Sequence, residues 1–351
     1  MIQISSPLPV QASNTAKRAV FVIVPRFNVA TLITMIEVLR VANYLTSTPQ
    51  FTWDIIAFDG DAITASNGMV VQTSTPPEAI SKADQVFVLA SWGAEHYANS
   101  ALTGWVRRMA RAGAAVCGVE LGCYILARAG VLAGKTATTH WSWLSGFQER
   151  FGEIDVVEQL YTIDDRVMTC AGGTGGVDLM LHLIGASHGA ALAREVADQM
   201  LYHPIRSDVT PQRPMAEQAS PALPIALRRA ISIMERAIEE PVQMPEIARS
   251  VGVSQRQLER LFKQHIGCTA VQYGLLLRLQ TARVLLISTQ MSVRDIAAAS
   301  GFNALSHFTH SFRKFFGRPP SEYREGWPKD QATPSWPGTL SDFLASQKPR
   351  P

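Results

Sequence analysis

One pattern occurs twice in this chain, as EIARSVGVSQRQLERLFKQHIG (residues 246–267) and as DIAAASGFNALSHFTHSFRKFFG (residues 295–317). The acidic residue, the alanine and the first glycine of the first copy recur 49 positions later in the second. A repeat of this length is a supersecondary unit used twice. Each copy combines a short helix, a glycine that suits a tight turn, and a second helix with an apolar stripe. The pattern predicts two helix-turn-helix units.

The segment between the two copies favours a helix that separates them. Residues 271–287 are rich in leucine, and a helix of this length spans roughly 26 Å. With the widths of the flanking helices, it suits two recognition helices about one DNA turn apart, ~34 Å. Ser254 and Asn303 stand where the second helix of each copy needs an N-cap, and Ser292 with Asp295 predicts a capping box.

Each predicted second helix also has a polar face opposite its apolar stripe. Such side chains contact base edges and phosphates, although a single polar face is more often simply solvated. Two such faces in tandem favour a nucleic-acid surface. The candidate DNA-binding residues are Ser254, Gln255, Arg256, Glu259, Arg260, Lys263, Ser306, His307, Thr309, His310, Arg313 and Lys314.

The repeated unit, with the ending Gly317-Arg-Pro-Pro-Ser-Glu-Tyr-Arg324, resembles the AraC/XylS DNA-binding domain over about a hundred residues. The resemblance implies an all-α domain with two helix-turn-helices that binds promoter DNA. It also implies that outward residues of the two second helices contact bases. By position these are Arg256, Glu259, Arg260, Ser306, Thr309 and His310.

Length and charge fit a chain of two domains. The chain has 351 residues and a net charge of +3, which divides into −4 over residues 1–221 and +6 over residues 222–330. The basic excess therefore accompanies the repeated units, as a phosphate-binding surface requires. Neither a signal peptide nor a membrane span is expected. The four cysteines lack CxxC spacing, which predicts reduced cytoplasmic thiols, with no metal site and no cofactor.

Strands and helices alternate through the N-terminal half, which predicts an α/β doubly wound, mostly parallel sheet. Prolines then mark a linker and a C-terminal tail. The expected division is a flexible N-terminus (1–17), an α/β sensor domain (18–206), a proline-rich linker (207–224), the double helix-turn-helix domain (225–326) and a disordered tail (327–351).

The most informative stretch of the α/β half is AAVCGVELGCYILARAG, residues 114–130, where a strand turns sharply into a helix. This half resembles the class I glutamine-amidotransferase-like superfamily, whose enzymes place a cysteine at the apex of this turn. The apex here is Glu120, while Cys117 and Cys123 lie three residues to either side. A cysteine-dependent amidase or protease with a DNA-binding appendage is therefore the alternative to a sensor without catalysis.

Ligands of open α/β sheets bind at the carboxyl ends of the strands. At these ends Glu120 offers a charge to a cation, aromatic side chains offer faces to an ammonium group, and Arg26 suits a carboxylate. Helix capping for Glu120 and core packing for the aromatics are the competing interpretations. The candidate effector residues are Arg26, Trp92, Glu120, Tyr124, His140, Trp141 and Thr174.

The two halves together resemble the GlxA-like regulators. The resemblance implies a cytoplasmic, effector-responsive transcriptional activator for the catabolism of small nitrogenous metabolites such as betaines, carnitine or amino acids. It implies no enzymatic activity. The expected partners are promoter DNA, a small effector such as a quaternary amine or amino acid, RNA polymerase, and a second copy in a homodimer. A constitutive DNA-binding protein whose α/β half only dimerises remains a further alternative.

Overall fold

The computed structural model describes residues 16–212 and 223–324, and the chain divides into two compact units, Met1–Gln212 and Arg213–Pro351. The predicted flexible N-terminus and C-terminal tail fall outside the described residues, apart from residues 16–17. Most of the predicted linker, residues 213–222, also falls outside them. None of the described helices has the length and apolar character needed to cross a membrane.

The first unit alternates strands with helices, as expected. Its strands are β1 Lys17–Ile23, β2 Phe51–Ile56, β3 Ala62–Thr64, β4 Val70–Gln72, β5 Gln85–Ala90, β6 Ala115–Glu120, β7 Thr136–Ala137, β8 Asp155–Val156, β9 Tyr161–Asp164 and β10 Val167–Cys170. Its helices are α1 Val29–Leu45, α2 Ser100–Arg111, α3 Gly122–Arg128, α4 Leu144–Arg150, α5 Gly175–His188 and α6 Ala190–Gln199.

Six strands form the main sheet in the order β2-β1-β5-β6-β10-β9. The pairs from β2 through β10 are parallel, and only the edge strand β9 runs antiparallel, in a hairpin with β10 about Asp164 and Asp165. The central strands β1 and β5 are almost continuously buried, because helices cover both faces of the sheet. The rings of Phe21 and Phe87 stack 5.1 Å apart within this core. The predicted mostly parallel, doubly wound sheet is confirmed.

Three details differ from the sequence-based expectation. The sequence pattern predicts a strand at 137–140, whereas the structure has only the short strand β7 at Thr136–Ala137, which pairs with β8 outside the main sheet. The sequence pattern also predicts one long helix from about 175 to 201, but this helix breaks at Gly189, whose φ of 93° no continuing helix adopts. Residues 207–212 lie with the first unit, because the Leu160 amide donates to the Asp208 carbonyl at 3.0 Å and Gln212 bonds to the same unit.

The second unit is helical in its described residues. Its helices are α7 Ile225–Arg236, α8 Met244–Ser250, α9 Gln255–Leu261, α10 Ala270–Ser288, α11 Val293–Ala299, α12 Leu305–Phe316 and α13 Pro320–Arg324. A π-helical turn at Phe262–Ile266 extends α9. The pairs α8–α9 and α11–α12 are the two predicted helix-turn-helix units, and α10 joins them.

The turn glycines behave as predicted, since Gly252 and Gly301 both have a φ of 74°. Ser254 caps α9 in a capping box with Gln257, and Ser292 caps α11 by accepting from the Asp295 amide at 3.1 Å. The expectation for Asn303 was wrong, because the cap of α12 is Ala304, which makes no side-chain bond.

Candidate functional site

The strand β6 ends in a strained turn at the predicted apex. Glu120 has a φ of 57°, a left-handed conformation that a non-glycine side chain adopts at a cost of about 1–3 kcal/mol. The backbone then enters α3 immediately at Gly122. The strain lifts the Glu120 side chain out of the strand direction and presents it at the carboxyl edge of the sheet.

Glycines make this sharp turn possible. A Cβ on Gly122 would lie 2.0 Å from the Val88 carbonyl oxygen, and a Cβ on Gly118 would lie 2.6 Å from the Cys123 amide nitrogen. The first atom belongs to β5 and the second to α3, so neither can move without shifting the strand or the helix. The close approach of α3 to β5 and β6 therefore depends on the absence of side chains at these two positions.

Glu120 is buried, with 8% of its surface exposed. The Ser91 hydroxyl donates to Glu120 Oε1 at 2.6 Å, whereas Glu120 Oε2 has no hydrogen-bond partner within the described part of the chain. The β10–α5 loop closes one side, since a Cβ on Gly172 would lie 3.1 Å from Glu120 Oε2. A buried carboxylate oxygen without a partner is costly and marks a position that a ligand can satisfy.

Burial also controls the charge of this group. Loss of solvation raises the pKa of the Glu120 carboxyl to about 7, and hydrogen bonds from Ser91 and Asn28 oppose the rise. A carboxyl with this pKa is divided between its neutral and charged forms at neutral pH. A cation placed beside it would favour the charged form, so its charge is adjustable by a ligand.

Two of the other predicted effector residues lie at neighbouring strand ends. Arg26 follows β1 with a φ of 68°, and one of its guanidinium nitrogens lies 4.0 Å from the position of a Cβ on Gly93. Trp92 follows β5 and is 42% exposed. The structure thus brings a guanidinium beside the 91–93 turn whose Ser91 bonds Glu120.

His140 and Trp141 stand at the start of a 3-10 turn and are half-buried. The His140 Nδ1 lies 2.7 Å from the Ser142 hydroxyl oxygen, and the two ring centroids lie 5.4 Å apart. Thr174 is exposed, and its hydroxyl accepts from Arg206 at 2.7 Å. Thr174 therefore contributes to an Arg206 bond at the start of α5, two residues beyond the Gly172 that touches Glu120.

The ring of Tyr124 packs in the core of the first unit. It is fully buried on α3 and packs edge-on against Phe147 and Phe151, with centroids 4.9 and 5.8 Å away. Its hydroxyl is buried without a hydrogen-bond partner among the described residues. The ring therefore has the contacts of a core residue, and the assignment of Tyr124 to the effector site stays a prediction.

Three residues near Glu120 were missed. The Ser91 hydroxyl donates to its carboxyl, the Asn28 side chain lowers the pKa of that carboxyl, and the Thr139 hydroxyl donates to its backbone carbonyl at 2.7 Å. Ser91 and Asn28 follow β5 and β1, so their position beyond strand ends was an available signal. Thr139 carried no such signal, because the segment after β7 lies outside the main sheet.

The cysteines of this unit offer no activated thiol. Cys117, Cys123 and Cys170 are fully buried. Burial raises the pKa of the Cys117 thiol and raises those of Cys123 and Cys170 to about 12. Within the described residues, no three His, Cys, Asp or Glu side chains are grouped so as to hold a metal ion.

The polar face of α9 is mostly exposed, as predicted. Gln255, Arg256, Arg260 and Lys263 project from it, and a surface depression beside α10 is lined partly by the three cations. Glu259 differs, because it is half-buried and its Oε2 accepts from the Ala270 amide at 3.2 Å. This bond satisfies an unpaired amide at the start of α10, so Glu259 has a structural partner.

The polar face of α12 exposes Ser306, His307, His310, Arg313 and Lys314, with Thr309 half-buried. The apolar stripe of the same helix places Phe308 and Phe312 in the core. The ring of His307 also packs edge-on against Phe302, 5.6 Å between centroids. Both second helices therefore present exposed cations and hydrogen-bonding side chains away from their cores.

Comparison with known proteins identifies a family for each half of the chain and relatives that span both halves. Residues 17–186 match the DJ-1/PfpI family, and residues 247–326 match a helix-turn-helix domain family. The HTH-type transcriptional regulator CdhR of Pseudomonas aeruginosa is 36% identical over 318 residues, which cover 91% of this chain and 94% of CdhR.

Two further relatives also span both halves. The regulator GbdR of the same organism is 34% identical over 312 residues, covering 89% of this chain and 85% of GbdR. The regulator GlxA of Rhizobium meliloti is 31% identical over 313 residues, covering 89% and 97%. The chain therefore belongs to the GlxA-like family of AraC-type DNA-binding transcriptional regulators, in which a DJ-1/PfpI-like domain precedes the helix-turn-helix pair.

Proposed function

We propose that this regulator senses a small nitrogenous metabolite in its DJ-1/PfpI-like unit and activates genes for the catabolism of that metabolite. The observation that carries the proposal is Glu120. It holds the apex of a strained elbow at the ligand-binding edge of the sheet, and it keeps a buried oxygen, Oε2, without a partner among the described residues. Strain and unsatisfied burial are features that proteins concentrate at functional sites.

The same position supports a sensor rather than an enzyme. A cysteine hydrolase needs a thiolate beside a base, and the three cysteines around the elbow are buried with raised pKa values. A carboxylate at the apex has no comparable nucleophilic role with an amide. We therefore assign the elbow to binding, in place of the alternative amidase or protease.

The chemistry of the edge favours a zwitterion such as a betaine, carnitine or an amino acid. Glu120 would pair with the ammonium group, and Arg26 beside the 91–93 turn would pair with the carboxylate. Trp92 and Trp141 would offer aromatic faces, each worth about 0.5–2 kcal/mol against a desolvated ammonium. His140 and Thr174 complete the proposed site at its rim.

A hydrogen-bonded route leads from Glu120 to the end of the first unit. Thr139 donates from its hydroxyl to the Glu120 carbonyl at 2.7 Å. The Thr139 carbonyl in turn accepts from Gln212 Nε2 at 2.8 Å. Gln212 is the last described residue before the segment that leads to the helix-turn-helix units. We propose that a ligand at Glu120 changes the hydrogen bond between Thr139 and Gln212 and thereby changes the affinity of the helix-turn-helix units for DNA.

The other partners follow from this function. Promoter DNA would be contacted by Gln255, Arg256, Arg260 and Lys263, and by Ser306, His307, Thr309, His310, Arg313 and Lys314 on the second unit. Ser254 and Glu259 would hold the first recognition helix in place through their caps. An activator in the cytoplasm also requires RNA polymerase, and a homodimer is the commonest assembly for such chains.

The test is calorimetric titration of the full chain with quaternary amines, betaines, carnitine and amino acids, followed by DNA binding with and without each ligand that binds. We expect Glu120→Gln to weaken binding of the cationic ligand, and the exposed Glu153→Gln to leave it unchanged. If Glu120→Gln binds every ligand as tightly as the wild type, the proposed site is wrong. Thiol-dependent hydrolysis lost in Cys123→Ser would favour the enzyme instead.

A further inference from the structure

The two helix-turn-helix units have separate hydrophobic cores. The core of the first includes Leu227, Leu258 and Phe262, and that of the second includes Phe308 and Phe312. The joining helix α10 contributes to both, through Ala270 at its start and Leu279 further along. One shared helix fixes the separation of the units along its axis. It fixes the angle between the units less well, because long helices curve gently along their length.

A second connection lies halfway along α10, at Arg278. Its Nη1 donates to the Gly301 carbonyl at 3.2 Å, and its Nε donates to the Gly274 carbonyl of its own helix at 3.3 Å. The guanidinium also lies over the Phe302 ring, 4.9 Å from its centroid. Arg278 thus grips the turn of the second helix-turn-helix, residues 301–302, by two different interactions.

The turn that Arg278 holds rests against the loop that precedes the first helix-turn-helix. A Cβ on Gly301 would lie 2.2 Å from the Ile238 carbonyl oxygen and 2.8 Å from Pro241 Cγ. Both residues belong to the loop between α7 and α8. The matching glycine of the first copy, Gly252, has the same φ of 74° and nothing within 4 Å of its Cβ position. The repeated turn is therefore open in the first copy, whereas in the second copy it contacts the loop between α7 and α8.

One side of this contact is open. A pocket of about 190 Å³ lies beside it, between α10 and the α7–α8 loop, and Arg278, Ile238 and Pro241 are among its lining residues. The side chain of Arg278 is half-buried, and burial lowers the pKa of its guanidinium. Partial desolvation strengthens its bond to the Gly301 carbonyl relative to the same bond in full contact with water.

We infer that Arg278 is a positioning residue for DNA recognition: by holding the Gly301 turn against the loop at 238–241, it fixes the angle between the recognition helices α9 and α12. Each base pair added between two half-sites moves them ~3.4 Å further apart along the DNA axis and rotates one relative to the other by ~35°. A fixed angle therefore admits one spacing of the two half-sites. Without the clamp the helix pair accepts several spacings, each with lower affinity.

The experiment begins with duplexes that the full chain selects from a random pool, and then adds or removes one base pair between the half-sites. We expect wild type to prefer the selected spacing by tenfold or more, on the order of one mismatched base pair. Arg278→Met should bind the duplex of selected spacing about tenfold more weakly, because it loses one charge-assisted hydrogen bond. Its preference for the selected spacing over the altered ones should fall by a similar factor. Arg278→Lys keeps a charged donor, so its affinity and its spacing preference should lie between those of the wild type and of Arg278→Met.

Spacing preference separates positioning from simple loss of stability, which weakens all duplexes equally. Arg278→Met with an unchanged preference ratio, whether binding is weaker or not, would overturn the inference. A second pair of variants gives an independent control. Gly252→Ala and Gly301→Ala introduce the same left-handed strain, and only the second meets the 238–241 loop. Spacing preference should fall in Gly301→Ala alone, and equal effects in both variants would contradict the clamp.

Discussion

The most quantitative prediction concerns the buried carboxyl of Glu120. Burial raises its pKa from 4.5 to about 7 in the folded chain. Below pH 4.5 the carboxyl is neutral in both the folded and the unfolded chain and does not reduce the free energy of unfolding. As the pH rises toward 7, the unfolded chain ionises first, and the free energy of unfolding falls. Each pKa unit corresponds to about 1.4 kcal/mol, so the full loss is about 3 kcal/mol. Relaxation of the site reduces this value, and we expect between about 1 and 3 kcal/mol.

Glu120→Gln removes the charge and keeps an oxygen that can accept from Ser91. The variant should match the wild type in the free energy of unfolding near pH 4 and exceed it by about 1–3 kcal/mol at pH 8. Denaturant or thermal unfolding of the full chain across this range measures the difference. Glu95, buried with its pKa also raised to about 7, keeps its own contribution in both proteins. Exposed Glu153→Gln is the control that should change nothing.

The same carboxyl links ligand binding to protons. A cation that pairs with Glu120 binds its charged form, so at pH 6 binding should release close to one proton, and affinity should rise from pH 6 to pH 8. Calorimetry in buffers with different ionisation enthalpies detects the proton, and Glu120→Gln should not release it. If wild type and variant show the same pH dependence of stability, the burial argument is refuted. If only the proton release is missing, the ligand does not meet Glu120.

Three further predictions concern other parts of the chain. Arg256→Ala should cost about 1–3 kcal/mol of specific DNA affinity and relax the preference at one or two base positions, as measured by binding to single-base variants of a selected site. Uniform weakening would instead make Arg256 a phosphate contact. Glu259→Ala should lower the unfolding free energy of the helical unit by about 1 kcal/mol, because the Ala270 amide loses its cap; a changed base preference without destabilisation would contradict that role. Asp178→Asn should destabilise the first unit by about 3 kcal/mol, because it leaves the Arg206 guanidinium without its buried, fully desolvated partner at 2.6 Å; a melting temperature unchanged from wild type would show that the pair is dispensable.

Local chemistry explains which features of the fold could be predicted. The glycines at 252 and 301, the caps at Ser254 and Ser292, and the apolar runs of β1 and β5 act within a few residues, so their patterns can be read directly. The elbow at Glu120 is local for the same reason. The break of the 175–201 helix at Gly189 was missed because one glycine within a helical pattern is often tolerated.

The candidate site was predicted less completely. Glu120, Arg26 and Trp92 could be predicted from their positions after strands, because the carboxyl ends of parallel strands lie at one edge of the sheet. The edge-on packing of Tyr124 against Phe147 depends on how α3 lies against α4, which spacing alone does not reveal. Thr139 and Gln212 were missed because their bonds join segments distant in the sequence.

By itself the sequence determined that this chain has an α/β half and a pair of helix-turn-helix units, because repeats and hydrophobic periods record local conformation. Only the tertiary structure decided what the two equivalent turns do. Gly252 and Gly301 occupy the same position in the repeated pattern and have the same φ, yet one is open and the other lies against Ile238 and beneath Arg278. That difference arises from contacts between residues 23 to 63 positions apart, and no local pattern encodes them.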